Sequence, residues 1–205
     1  GYGSDTQLRT DVTALGLRYI AGILSNTSVW AQGRAPLPPK PWSGRGRPPT
    51  LMRRDGEHQP TSVKVLALAL GPEAWTEIAW REGVADRLTS RFARVRVRAA
   101  HRDDWLKELR PQEWLLIEWP EGEKEPTKYW FSILPEEIGF TRLVELAKLR
   151  WRIERDYQEL KQELGLGHYE GRGWRGFHHH ATLCIAAYGF LIAERVRLPP
   201  SGSAS

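Results

Sequence analysis

Arg150, Glu154 and Lys161 stand four and then seven residues apart, a spacing that places all three on one stripe of a helix. At about 100° per residue they fall within roughly 40° of one another, and at about 1.5 Å rise the stripe runs roughly 16 Å. A carboxylate between two cations can hold a divalent metal while the cations grip phosphates on either side of it, as phosphodiester chemistry requires. The same triplet also suits a plain solvated face, where Glu with Arg or Lys one turn away adds only a little helix stability.

The helix that carries this stripe is written in LAKLRWRIERDYQELKQELGLG. Thr141 is the expected cap, and Leu146, Leu149, Ile153, Tyr157, Leu160 and Leu164 form an apolar stripe before Gly165 ends the run. The charged stripe flanks the apolar one, so Glu154 is expected at the margin between core and solvent. A second helix is expected from roughly His178 to Val196. Within it Leu183 to Ala193 (LCIAAYGFLIA) is the longest apolar run; it is too short to span a bilayer, is interrupted by Gly189, and reads as a buried helix.

Upstream, Ser4 or Asp5 can cap a helix with apolar positions Leu8, Val12 and Leu15, and Gly16 supplies a left-handed stop. Leu17 to Leu24 (LRYIAGIL) then reads as a buried strand of a layered α/β sheet. Residues 31 to 61 are dense in Pro, Gly and Arg and read as an extended or mobile loop. Lys40, Arg45, Arg47, Arg53 and Arg54 make it either an arm lying along a DNA backbone or a solvated linker. From Val63, the segments VKVLALAL, WTEIAWREG, FARVRVRAA, EWLLIEW and YWFSIL read as short strands of an antiparallel insertion. In FARVRVRAA the alternation sends Arg94, Arg96 and Arg98 to one face, where they can meet phosphates or form the wet face of an edge strand.

Composition agrees with a phosphate-rich partner without demanding one. Over 205 residues the formal net charge is +5, and neutralising phosphates with such a surplus releases counterions. Ten tryptophans supply packing, with some left over to stack on bases. Cys184 is the single cysteine, which excludes an internal disulfide framework and fits a reducing compartment; no membrane span or charged leader is read, and the cytoplasm is the expected location.

RWRIERDYQELK resembles the C-terminal signature of bacterial insertion-sequence DDE transposases: Tyr, two residues, Arg, three residues, Glu, six residues, Lys. Arg150, Trp151, Ile153, Glu154 and Lys161 fall in register, and the Tyr position is Ala147. The flanking EWLLIEWPEGEKEPTKYWFSILP and GLGHYEGRGWRGFHHHATL look like the same group, and GYGSDTQLRTDV looks like the segment that follows the family's second aspartate. The resemblance implies an RNase H-like fold and three carboxylates binding two Mg²⁺ ions, with Mn²⁺ as a substitute, for phosphoryl transfer on DNA. Glu154 matches the third carboxylate, as catalytic and metal-binding residue. Asp5 and Asp11 lie downstream of the second position and are poor matches, so the chain is expected to be a C-terminal part of such an enzyme, lacking two of its three carboxylates.

The expected fold class is therefore α/β, a partial RNase H-like core interrupted by a mainly antiparallel β insertion. Residues 1–28 give the core's helix and strand, 29–135 the Pro/Arg-rich loop and insertion, 136–198 the C-terminal helices, and 199–205 a disordered tail. DNA, as transposon ends, is the expected partner, with a homodimer on it implied by the resemblance. Besides Arg150 and Lys161, the DNA contacts proposed are Arg94, Arg96 and Arg98, Trp130 by stacking or else in the core, and Arg172 and Arg175 in the Gly-rich turn EGRGWRGF. His180 and Cys184 have a zinc-compatible spacing but only two ligands, and His178, His179 and His180 also suit a partly buried turn. The competing reading is a non-catalytic nucleic-acid-binding protein; a β-rich module that binds protein is a third.

Overall fold

The computed structural model describes residues 2–80 and 87–198. The expected tail 199–205, Arg81 to Gly83 of the strand WTEIAWREG and the side chain of Trp151 lie outside the described residues. The chain forms two compact units, one ending at Lys148 and the other starting at Leu149.

Among the described residues the first unit is built on seven strands. Asp5 caps α1 (Thr6–Ala14), accepting N–H bonds from Gln7 and Leu8 at 2.9 and 3.2 Å. Leu8 and Leu15 are nevertheless exposed, and the buried side chain of α1 is Arg9. The strands are β1 (Ile20–Ile23), β2 (Ser28–Trp30), β3 (Thr61–Ser62), β4 (Thr76–Trp80), β5 (Leu88–Ala99), β6 (Glu113–Trp119) and β7 (Lys128–Ser132). They run in the order β1-β7-β6-β5-β2-β3, with β4 also paired to β5.

Every named pairing is antiparallel, from Ile20 against Ser132 to Arg94 against Leu116. This corrects the layered sheet expected around Leu17 to Leu24. The segment supplies a four-residue edge strand paired with β7, and Leu17 and Leu24 stay exposed.

Alternation along β5 and β6 divides the core. On one face Ala93, Val97, Ala99, Leu115, Ile117, Tyr129 and Phe131 pack with Val29, Val63 and Ala67. On the other, Phe92, Trp114 and Leu116 pack with Ile78, Trp80, Leu143, Val144 and Ala147. The first face is covered by α2 (Val63–Leu68), which corrects the strand expected over VKVLALAL. Ser62 caps α2 by accepting the Val65 N–H at 3.2 Å, and Leu and Ala favour a helix once Val63 and Ala67, one turn apart, can both be buried. The second face is covered by α3 (Phe140–Ala147), which is capped by Gly139 and not by Thr141.

The single long helix expected after Pro135 is two helices. α3 stops at Lys148, and α4 (Arg150–Gln162) starts two residues later. No Gly or Pro marks the break, so apolar periodicity reads straight through it; what stops α3 is tertiary, because the Lys148 side chain turns in to meet buried Glu118.

In the second unit α4 packs with α5 (Trp174–Arg197), which starts four residues before the expected His178. The buried-helix reading of Leu183 to Ala193 is corrected here: Cys184 is buried, whereas Leu183, Ile185, Phe190, Leu191 and Ile192 are exposed. One neighbouring helix can cover one stripe of a 24-residue helix, and the rest of the apolar run faces outward.

Candidate nucleic-acid interface

Arg150, Glu154 and Lys161 all lie on α4, as their spacing predicts, and all three are exposed. Glu154 is therefore not at a core margin, and its neighbours Ile153 and Tyr157, expected in the core, are 68% and 52% exposed. Lys161 Nζ sits 4.4 Å from the centre of the Tyr157 ring, an attraction that holds the ammonium on the helix surface. Among the described residues neither Arg150 nor Glu154 has an ion-pair partner, while the other carboxylates of α4 are engaged. Asp156 and Glu159 accept from Tyr188 Oη, at 2.9 and 3.3 Å, and Glu159 also meets Arg155 and Arg195. Desolvation and then these two carboxylates push the Tyr188 hydroxyl up to about 12. The acids of α4 toward α5 are thus engaged within the unit, Asp156 by a hydroxyl and Glu159 by a hydroxyl and two arginines.

The arginine ladder of β5 is committed to the protein. Arg94 donates to Ile138 O at 2.6 Å and stacks on Trp114 and Phe140. Arg96 donates to Gln112 O at 2.8 Å and pairs with Glu136 at 2.9 Å, and Arg98 donates to Arg110 O at 2.5 Å. All three are half-buried on the face covered by α3, because β5 is an interior strand of the sheet and not an edge. Trp130 is half-buried in the same cluster, 5.6 Å from Lys148 Nζ. Arg172 and Arg175 are exposed at the start of α5.

His180 and Cys184 meet across one helical turn, with Sγ 3.7 Å from Nε2, but both close the end of α4. Cys184 Sγ donates to Leu164 O at 3.1 Å, and His180 Nε2 lies 2.9 Å from Gly165 O. Gly165, at φ 70°, makes the turn that presents those carbonyls.

One polar constellation gave no sequence signal. Arg9, Tyr19, Arg110 and Glu113 line a cleft of about 1050 Å³ beside α1, together with His101 and Trp105. Tyr19 donates to Glu113 at 2.8 Å, and Arg9 donates to Gly3 O at 2.6 Å while standing 4.0 Å from Glu113. Burial raises the Glu113 carboxyl above its ordinary value despite Arg9, and burial together with Glu113 raises Tyr19, so its hydroxyl stays a donor. These residues are brought together by strand pairing, not by spacing.

The opening of the chain is locked to β1. A side chain at Gly3 would meet Gly22 O at 2.1 Å, so only glycine lets the turn Tyr2–Ser4 lie against the strand. Residues 1–87 match the family model described as DDE superfamily endonuclease. The match supports a DDE transposase or endonuclease relationship, a superfamily whose members act on DNA and generally use divalent metals. It takes in the Gly3 turn, α1, β1, the basic loop and α2; α4 and its stripe lie beyond it. No curated protein and no solved structure matches the chain.

The donors among the described residues do not gather into the metal pair that the resemblance implies. Among the described residues no three His, Cys, Asp or Glu side chains gather so as to hold a metal ion. Asp5 is engaged in capping α1, Asp11 takes the Gln7 amide at 2.8 Å, and Glu154 stands alone on its face of α4. No described helix is long and apolar enough to cross a membrane.

Proposed function

We propose that the chain is the C-terminal part of an insertion-sequence DDE transposase acting in DNA transposition in the bacterial cytoplasm, and that α4 is its nucleic-acid face. The observation that carries this reading is the α4 stripe, with two exposed cations and one carboxylate without an ion pair among the described residues, on a single face of a helix whose other acids are engaged by Tyr188, Arg155 and Arg195. Arg150 takes a phosphate through its planar fork and Lys161 as a point charge, roughly 16 Å further along the helix. Arg172 and Arg175 add exposed charge on the second unit. Arg94, Arg96, Arg98 and Trp130 serve as packing that stiffens the sheet, and reach DNA only if α3 and its preceding loop give way.

Glu154 stands where the resemblance puts the third carboxylate of an Mg²⁺ or Mn²⁺ pair. In this reading the chain by itself holds DNA, as one partner of a homodimer on transposon ends, and does not cut it. The purified chain, incubated with Mg²⁺ and a transposon-end duplex, should leave the duplex intact. Reproducible nicking that Glu154→Gln abolishes contradicts this.

The exposed cations Arg150, Lys161, Arg172 and Arg175 also suit a second reading, a nucleic-acid-binding protein without catalysis. The two part on whether Mg²⁺ changes DNA affinity through Glu154. A metal effect lost in Glu154→Gln belongs to the transposase, and indifference to both belongs to the binding protein.

A further inference from the structure

From Ala31 to Arg54 the chain contains no Asp or Glu, while it carries Arg34, Lys40, Arg45, Arg47, Arg53 and Arg54. Two of these cations fasten the base of the loop. Arg53 joins Leu37 in an isolated bridge, with N–H to O distances of 2.8 and 3.0 Å, and its Nε donates to Pro38 O at 3.2 Å. Arg54 is gripped by Asp103, a buried carboxylate that also accepts from Trp30 Nε1, and Met52 N donates to Leu106 O at 2.8 Å. The base is therefore fixed to the first unit by buried chemistry.

The other four cations are left outward. Arg34, Lys40, Arg45 and Arg47 are exposed, and among the described residues none has a carboxylate partner. Between Pro38-Pro39-Lys40-Pro41 and Pro48-Pro49, the tip bends over residues 44–47. Trp42 Nε1 donates to Gly46 O at 3.2 Å across it, and Gly44 and Gly46 take φ of 82° and 73° on either side of Arg45. Nothing lies within 4 Å of where either glycine would carry a side chain. The tip is thus thin, stiffened by proline, and bears guanidinium groups as its polar equipment.

We propose that this tip, through Arg45 and Arg47, enters the minor groove of A·T-rich duplex DNA. The inference rests on the DNA reading above and names a groove and a base composition for it. The major groove, about 12 Å wide, is filled by a helix or a two-stranded ribbon, and the tip is neither. The minor groove is about 6 Å wide, and a bend with no side chain at the glycines on either side of the arginine suits so narrow a groove. A·T tracts narrow that groove further and deepen its negative potential, which draws arginine in without reading base edges. Arg34 and Lys40 then stand near the flanking phosphates.

The test is fluorescence anisotropy of the full chain on two duplexes of equal length, one an A·T tract and one G·C-rich, over a range of salt. The A·T duplex should bind about tenfold tighter, a difference of about 1.4 kcal/mol, and a small ligand that occupies the A·T minor groove should displace the chain. The double variant Arg45→Ala/Arg47→Ala should bind both duplexes equally and lower the salt slope by about two. Arg45→Lys/Arg47→Lys should keep the slope and lose the preference, since lysine retains the charge without the flat, weakly hydrated head. Both changes are at exposed loop positions, so the fold is unaffected. Equal binding of the two duplexes by the unaltered chain, or a preference that survives the alanine pair, overturns the inference and leaves the DNA reading intact. A chain that binds neither duplex at low salt loses both.

Discussion

Lys148 Nζ lies 2.7 and 2.6 Å from the two carboxylate oxygens of Glu118, with both side chains buried. The ammonium also rests 4.2 Å over the Trp80 ring, and Lys128 approaches the same carboxylate at 3.7 Å. A buried pair of this kind gains little over an apolar substitute, but removal of one partner strands the other charge away from water. Lys148→Ala should therefore destabilise the chain by about 3–5 kcal/mol in urea unfolding, and Lys148→Met combined with Glu118→Gln should recover most of that loss. Equal costs for the single and the double variant would show that the pair is not what holds the end of α3.

Gly3 faces Gly22 O at a distance that admits no side chain. Gly3→Ala must push the Tyr2–Ser4 turn off β1, and the expected loss is about 1–3 kcal/mol, as for other overpacked sites. The same substitution at Gly56, which has nothing within 4 Å and ordinary backbone angles, should change the urea midpoint little.

Glu113 links stability to pH. Its ordinary value is 4.5, and burial raises it in the folded chain. The folded state then keeps a proton that the unfolded chain has released. The contribution of Glu113 is full below pH 4.5 and is lost as pH rises through the higher folded value. Urea midpoints followed from below pH 4.5 to neutrality should show this fall, and Glu113→Gln should flatten it. The variant should be less stable overall, because Arg9, also buried, loses its carboxylate neighbour.

Much of this architecture could be read from the residues. Strands β4 to β7 follow from alternating β-branched and aromatic positions, and the start and stop of α1 follow from Asp5 and Gly16. The helical register of Arg150, Glu154 and Lys161 was equally legible. What could not be read depends on contacts distant in sequence. VKVLALAL is apolar enough for a strand and is a helix because Ser62 caps it and the sheet offers a face for Val63 and Ala67. The break at Lys148 needs Glu118, thirty residues away, and the fate of the β5 arginines needs Gln112, Glu136 and Ile138. The exposure of Ile153 and of the α5 apolar run also lies outside what periodicity can give, since a pattern shows that a face is apolar and not what covers it.

If α4 is a phosphate-holding face, salt-dependent DNA binding by the full chain shows it most directly. In metal-free buffer Arg150→Ala and Lys161→Ala should each lower the slope of log affinity against log salt by about 0.9, the value for one phosphate contact, and the double variant should lower it by about twice that. Glu154→Gln, which removes the one negative charge between them, should bind DNA at least as tightly as the unaltered chain. Unchanged slopes in all three variants would contradict the account and leave the stripe as a solvated helix face.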